Sequence, residues 1–172
     1  MRTYQVTLTG KTPILMHADN IEWADQMDRW KADPKHKAGS KAGDDRSPAF
    51  RWLGCLYHDG ERVVIPSDNI MRAMMEGGAM VPVPGAKGSK TFKSQTQSGM
   101  LPGDLYWPLT VKDHGIEVKE FFADMEKRPW EEFNVMAEAA GFALYVKRAK
   151  IGQSKHIRVR PKFSDWGIAG RL

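Results

Sequence analysis

The chain has 172 residues, 41% of them hydrophobic and 27% charged, enough for one domain with a core of its own. No apolar run reaches the length of a membrane-spanning helix, and the opening "MRTYQVTLTG" lacks the apolar core of a secretory signal, so no membrane contact is expected. The single cysteine, Cys55, excludes an internal disulfide, suits a reducing cytoplasmic compartment and is expected as a small buried hydrophobe.

Tyr4, Val6 and Leu8 alternate with Thr3, Gln5, Thr7 and Thr9, the period of a half-buried strand, which resumes through Ile14 to Met16. Trp23, Met27 and Trp30 fall at helical spacing and predict a short amphipathic helix. The stretch at about 31–48, "KADPKHKAGSKAGDDRSP", has almost no large apolar residue and reads as a mobile insertion. Two strands, Phe50 to Tyr57 and Arg62 to Ile65, are expected around an Asp59-Gly60 turn. "PSDNIMRAMMEGG" predicts a helix capped by Ser67 or Asp68, burying Ile70, Ala73 and Met74, and stopped by Gly77-Gly78.

Residues 81–103 hold too much Pro and Gly for a helix and are expected as a long projecting loop or extended hairpin. "DLYWPLTV" and "IEVKEFF" read as short strands and "PWEEFNVMAEAAG" as a helix. "GFALYVKRAK" and "KHIRVRPKF", joined by "IGQS", read as a closing pair of strands. The sum is a single α+β domain over 1–172, an antiparallel or mixed sheet packed by helices.

The net charge of +5 is unevenly placed. From Ala139 to Ser164 there are seven Lys or Arg and no acid, and from Gly77 to Gly103 three Lys and no acid. Segregation of this kind points to a polyanion more strongly than the total does. Arg158, Arg160 and Lys162 alternate with Ile157, Val159, Pro161 and Phe163. On a strand that spacing makes a cationic row with about 7 Å between members, close to the phosphate repeat of an extended single strand. Lys147, Arg148 and Lys150 on the preceding strand, with Lys155 and His156 after the turn, extend it. The bland counterpart is a solvated strand face whose charges protect an edge. Lys87, Lys90 and Lys93, with Phe92 among them, make a flexible cationic arm suited to a single strand. Trp166 is a candidate stacking platform just beyond the basic strand.

Catalytic and metal chemistry find little support. The five histidines are scattered, with no H-E-x-x-H or C-x-x-C pair, no G-x-S-x-G elbow and no P-loop spacing in "GAKGSK". No metal or cofactor is expected. Asp44-Asp45 is a solvated acid pair before it is a cation site. His17, or His156, is the candidate base for a metal-independent ribonuclease.

Two stretches, "YQVTLTGKTPILMH" and "VIPSDNIMRAMME", resemble the opening strand and the strand-to-helix segment of Cas7-like proteins of the RAMP superfamily, in a phage or prophage form. The resemblance implies a ferredoxin-like (RRM-like) core, RNA bound by its backbone, and copies assembled in a row within a CRISPR antiviral ribonucleoprotein. It makes Arg72 a backbone contact. The superfamily's glycine-rich C-terminal loop is matched by "WGIAGRL" only as a remnant, and its cleavage aspartate is not placed on any one residue of this chain, so no catalytic role is carried over. The expected function is non-catalytic binding of single-stranded nucleic acid, RNA before DNA, as a homo-oligomer or ribonucleoprotein subunit. Two readings stand beside it: a phage structural or interaction protein whose basic face docks an acidic partner, and the ribonuclease.

Overall fold

Alternating and helical apolar patterns build two antiparallel sheets and five α-helices. The computed structural model describes residues 2–172, the Ile151 side chain apart. In chain order the elements are β1 (Gln5–Thr9), β2 (Ile14–Leu15), α1 (Ile21–Ala32), β3 (Val64–Pro66), α2 (Ser67–Met80), α3 (Lys93–Gly99), β4 (Tyr106–Val111) and β5 (His114–Gly115). Then follow α4 (Lys119–Phe122), α5 (Trp130–Ala139), β6 (Ala143–Ile151), β7 (Ser154–Phe163) and β8 (Trp166–Arg171). The first sheet runs β1-β8-β4-β3, with β5 paired to β4; the second runs β2-β7-β6. Every strand pairing is antiparallel.

One continuous buried cluster joins the two sheets. Trp107, Leu109 and Ile168 enter it from the first, Leu144, Val159 and Phe163 from the second. Trp52 has no exposed surface and meets Phe121, Phe133 and Phe142 edge-on, with ring centroids about 6 Å apart, the arrangement that aromatic quadrupoles favour. α1 presents Trp23, Met27 and Trp30 to this core, as their spacing predicts.

Several local expectations need correction. Residues 51–55 form a 3-10 turn, not a strand. Trp52 and Leu53 are adjacent and both buried, which a strand with one wet face cannot achieve. "IEVKEFF" is extended only at its start, where Glu117 bridges Arg62; Lys119 to Phe122 are helical. α2 runs through Gly77-Gly78 to Met80, and its N-cap is Pro66, with no side-chain cap from Ser67 or Asp68. Of its expected stripe only Ile70 is buried, with Met74 packed at the core's margin and Ala73 exposed.

Gly78 serves a close approach. A Cβ there would stand 2.7 Å from Thr96 Oγ1 and 3.3 Å from the Lys93 amide. The segment expected to contain no helix therefore holds α3, folded back on α2. Its Pro and Gly fall in 82–88 and 99–103, and Lys93 to Ser98 have none. "WGIAGRL" is extended and not a loop: Trp166–Arg171 is β8, hydrogen-bonded between β1 and β4.

The insertion expected to be mobile at 31–48 is docked. His36 stacks on Trp30 at 4.5 Å and its Nδ1 lies 3.1 Å from the Trp30 carbonyl. The Asp45 amide donates to the Ile157 carbonyl (2.9 Å), and the Ile157 amide to the Gly43 carbonyl (2.7 Å). Asp44 and Asp45, expected to be solvated, are buried.

Candidate nucleic-acid interface

The β6–β7 register decides which cations share a surface. Residues directly opposite in an antiparallel pair point to the same face. Tyr145 faces Arg160, Lys147 faces Arg158, Ala149 faces His156 and Ala143 faces Lys162. Arg148 faces Ile157 and Lys150 faces Lys155. The hairpin cations thus divide. Lys147, His156, Arg158, Arg160 and Lys162 lie on the open face with Tyr145. Arg148, Lys150 and Lys155 lie on the opposite side, in line with the buried Val159, Pro161 and Phe163. The single two-stranded basic face read from the sequence is corrected to two faces, because neighbours in a strand cannot both point the same way.

β2 widens the open face. Leu15 pairs with Lys162, and the Met16 amide donates to the Pro161 carbonyl at 3.0 Å. The same register carries His17 opposite Arg160. Three rows result across the strands: Lys147 with Arg158; Tyr145, Arg160 and His17; Lys162 with Leu15. The Lys162 ammonium lies 5.8 Å from the Tyr145 ring centroid, within cation–π range. His156 sits over Gly43, where a Cβ would meet its Nδ1 at 2.9 Å.

Asp45 organises the arginines. Arg158 Nη1 donates to its Oδ1 at 3.0 Å and Arg160 Nη1 to its Oδ2 at 3.4 Å. The Val159 amide donates to Oδ2 at 3.2 Å, and Arg51 Nε lies 3.6 Å from Oδ1. Arg160 Nη1 also donates to the Val159 carbonyl at 2.7 Å. Each of Arg158 and Arg160 is held by one guanidinium end, and their side chains remain 32% and 23% exposed. Five cations (Arg51, Lys147, Arg158, Arg160, Lys162) against two carboxylates, Asp45 and the Asp19 that acts on His17, leave this surface positive. The row expected to have no acid nearby has one, delivered from more than a hundred residues upstream.

The pH-active groups beside the cluster follow its charge. Burial, then the Arg160 guanidinium, hold His17 below its ordinary 6.5, while Asp19 and Asp45 pull it back. A lowered value leaves the ring neutral at pH 7, an aromatic plane and not a cation. Burial pushes the Cys55 thiol up, so it is a poor nucleophile. The Arg46 side chain, bound bidentately to Asp44 at 2.9 and 3.0 Å, lowers the Asp44 carboxyl.

The remaining candidates lie elsewhere. Lys87, Lys90 and Phe92 belong to the arm between α2 and α3, where Pro82 bridges Thr91, and Lys93 opens α3. Lys90 and Lys93 line a groove of about 630 Å³ with Thr91, Ser94, Gln95 and Gln97. Arg72 is exposed on α2 and paired with Glu76 at 3.2 Å. Trp166 stands on the first sheet, not beside the hairpin; its Nε1 donates to the Thr12 carbonyl (2.9 Å) and its ring lies against Gly10. Among the described residues no group of three His, Cys, Asp or Glu could hold a metal ion.

Sequence reasoning passed over Tyr145 and Arg51. Tyr145 was legible, two residues before Lys147 on the same strand face. Arg51 was not, because only the 3-10 turn brings it to Asp45.

Fold and site together define an α+β protein with an open, cationic, aromatic-bearing sheet face. Comparisons with protein-family models, curated proteins and solved structures return no match. No helix of the described residues is long and apolar enough to cross a membrane.

Proposed function

We propose that this chain binds single-stranded nucleic acid without cleaving it, RNA in preference to DNA, on the open face of the β2-β7-β6 sheet. One observation carries the reading: Lys147, Arg158, Arg160 and Lys162 share that face with Tyr145, which lies opposite Arg160, while the Arg160 guanidinium acts on the His17 ring. Phosphates pair with Lys147, Arg158, Arg160 and Lys162, and bases stack on the rings. Asp45 fixes the two arginines in advance, which lowers the ordering entropy of binding. The arm with Lys87, Lys90, Phe92 and Lys93 and the exposed Arg72 are further backbone contacts, and copies assemble along one strand.

The preference for RNA and the row of copies rest on the Cas7-like resemblance. A ferredoxin-like core of that kind has β3 and β4 to account for. They flank α2 and pair directly and antiparallel, where a split βαβ unit holds such strands parallel. The ribonuclease reading has weaker geometry. His17 lies opposite Arg160, four residues along β7 from His156, about 14 Å by strand rise, too far to share one phosphodiester.

The test is fluorescence anisotropy with labelled single-stranded RNA and DNA over a salt series. Four neutralised phosphates give a slope of log K against log salt of roughly −3. Lys147→Ala/Lys162→Ala removes two cations that hold no carboxylate, and should flatten the slope to about −1.5. A salt-independent signal, or an unchanged slope in the double variant, overturns the reading. Binding to an acidic protein with none to oligonucleotides selects the docking alternative.

A further inference from the structure

Two sheets have four outer edges, and three are protected. β3 is covered by bonds from the Val63 amide to the Ile116 carbonyl and from the Val64 amide to the Tyr57 carbonyl. β2 is two residues long, and the Ala18 amide beyond it donates to the Cys55 carbonyl. β6 is open but carries Lys147, Arg148 and Lys150, and like charges on an edge oppose pairing. β1 has none of these devices. From Thr3 to Gly10 it has no charge, no proline and no bulge.

The ladder shows which groups of β1 are free. Tyr4 and Leu172 exchange both backbone bonds, and the Gly10 amide donates to the Trp166 carbonyl. By alternation Val6 and Leu8 bond to β8, so the N–H and C=O of Gln5, Thr7 and Thr9 point outward. The apolar row on the core side is also unfinished. Tyr4 is 58% and Leu8 39% exposed, although Ile168 and Leu109, in register with Leu8, are buried.

We infer that β1 is a homodimer edge: a second copy of this chain adds its own β1 antiparallel about a twofold axis at Thr7. The occupant follows from the chemistry of the strand. An uncharged edge offers nothing to an acidic or basic peptide, and on a molecule of net charge +5 it is where two copies meet with like charges, Arg2 and Lys11, only at the two ends of the contact. Its pattern is self-complementary. With Thr7 opposite Thr7 of the partner, Gln5 meets Thr9 and all outward groups of the three residues pair. Val6 meets Leu8 on the core side, completing the apolar row. The contact is isologous and closes at two copies. This inference does not rest on nucleic-acid binding.

The test is sedimentation of the full chain over a concentration series, with amide exchange read residue by residue. A dimer with slowed exchange at Gln5, Thr7 and Thr9 is expected. Thr7→Pro deletes a donor that β8 does not use, and should raise the dissociation constant by about tenfold or more, with Val6 and Leu8 still protected. Thr7→Lys, which sets two cations face to face without constraining the backbone, should do the same. A monomer at the highest concentration, or a dimer that survives both variants, overturns the inference. Lys147→Ala/Lys162→Ala should leave the dimer intact, which separates this outcome from failure of the nucleic-acid reading.

Discussion

Asp45 decides how much of the basic row is available to a ligand. Its carboxylate accepts from Arg158, Arg160 and the Val159 amide. Replacement by Ala leaves that buried amide unpaired and two guanidiniums without their anchor. Charge-assisted bonds of this kind contribute about 1.5–3 kcal/mol each when buried, but the arginines are partly solvated, so a loss of about 2 kcal/mol in urea unfolding is expected. Asp45→Asn keeps the shape, removes one negative charge, and should steepen the salt slope by about 0.7. An unchanged slope would show that the ligand does not meet this cluster.

His17 gives a second reading at the same scale. Its folded value is lowered, so the unfolded chain binds its proton more readily. Its contribution to stability is therefore complete above pH 6.5 and declines as pH falls through that value. Ring-proton titration by NMR should give a midpoint below 6.5, and Arg160→Ala should move it upward without abolishing the shift, since burial remains. A midpoint above 6.5 would remove His17 from the Arg160 neighbourhood.

Among the elements, the β6–β7 hairpin makes the sharpest demand. Its register sets Lys147 and Arg158 apart from Arg148 and Lys150. Arg148→Ala/Lys150→Ala should weaken oligonucleotide binding far less than Lys147→Ala/Lys162→Ala, and equal losses would contradict a single binding face. The hairpin was readable because alternation and the "IGQS" turn are local signals. The 3-10 turn at 51–55, the docked segment at 31–48 and β8 were not. Their positions depend on partners remote in sequence: Asp45 on β7, and β8 on β1 and β4. Gly170 shows the same limit. A Cβ there would lie 2.3 Å from the Trp107 ring, which is fully buried. Gly170→Ala should therefore destabilise by about 2–3 kcal/mol through overpacking, measured by denaturant midpoint. Nothing in "WGIAGRL" announces that contact.

At the scale of the whole molecule, the lopsided charge was legible and its use was only half so. The sequence shows a basic stretch without acids. It cannot show that one carboxylate is folded into the stretch, or that its cations divide between two faces. The α+β class followed from the mixture of periods. The strand order β1-β8-β4-β3 did not, since short strands without local hairpins can be ordered in several ways.

β7 and β8 have a consequence for how the chain is made. Each is an interior strand: β7 lies between β2 and β6, and β8 between β1 and β4. Both come from residues 154–171, more than a hundred residues after β1 and β2. Until they are made β1 and β2 have no neighbour, Asp45 has no guanidinium from β7, and the uncharged strand at 5–9 is bare. Neither sheet can close before residues 154–171 have been made, and closure then bridges more than a hundred residues, a slow and aggregation-exposed step. A nascent chain stalled before Ser154 should stay fully open to protease, and the N-terminal strands would be the first clients of a chaperone.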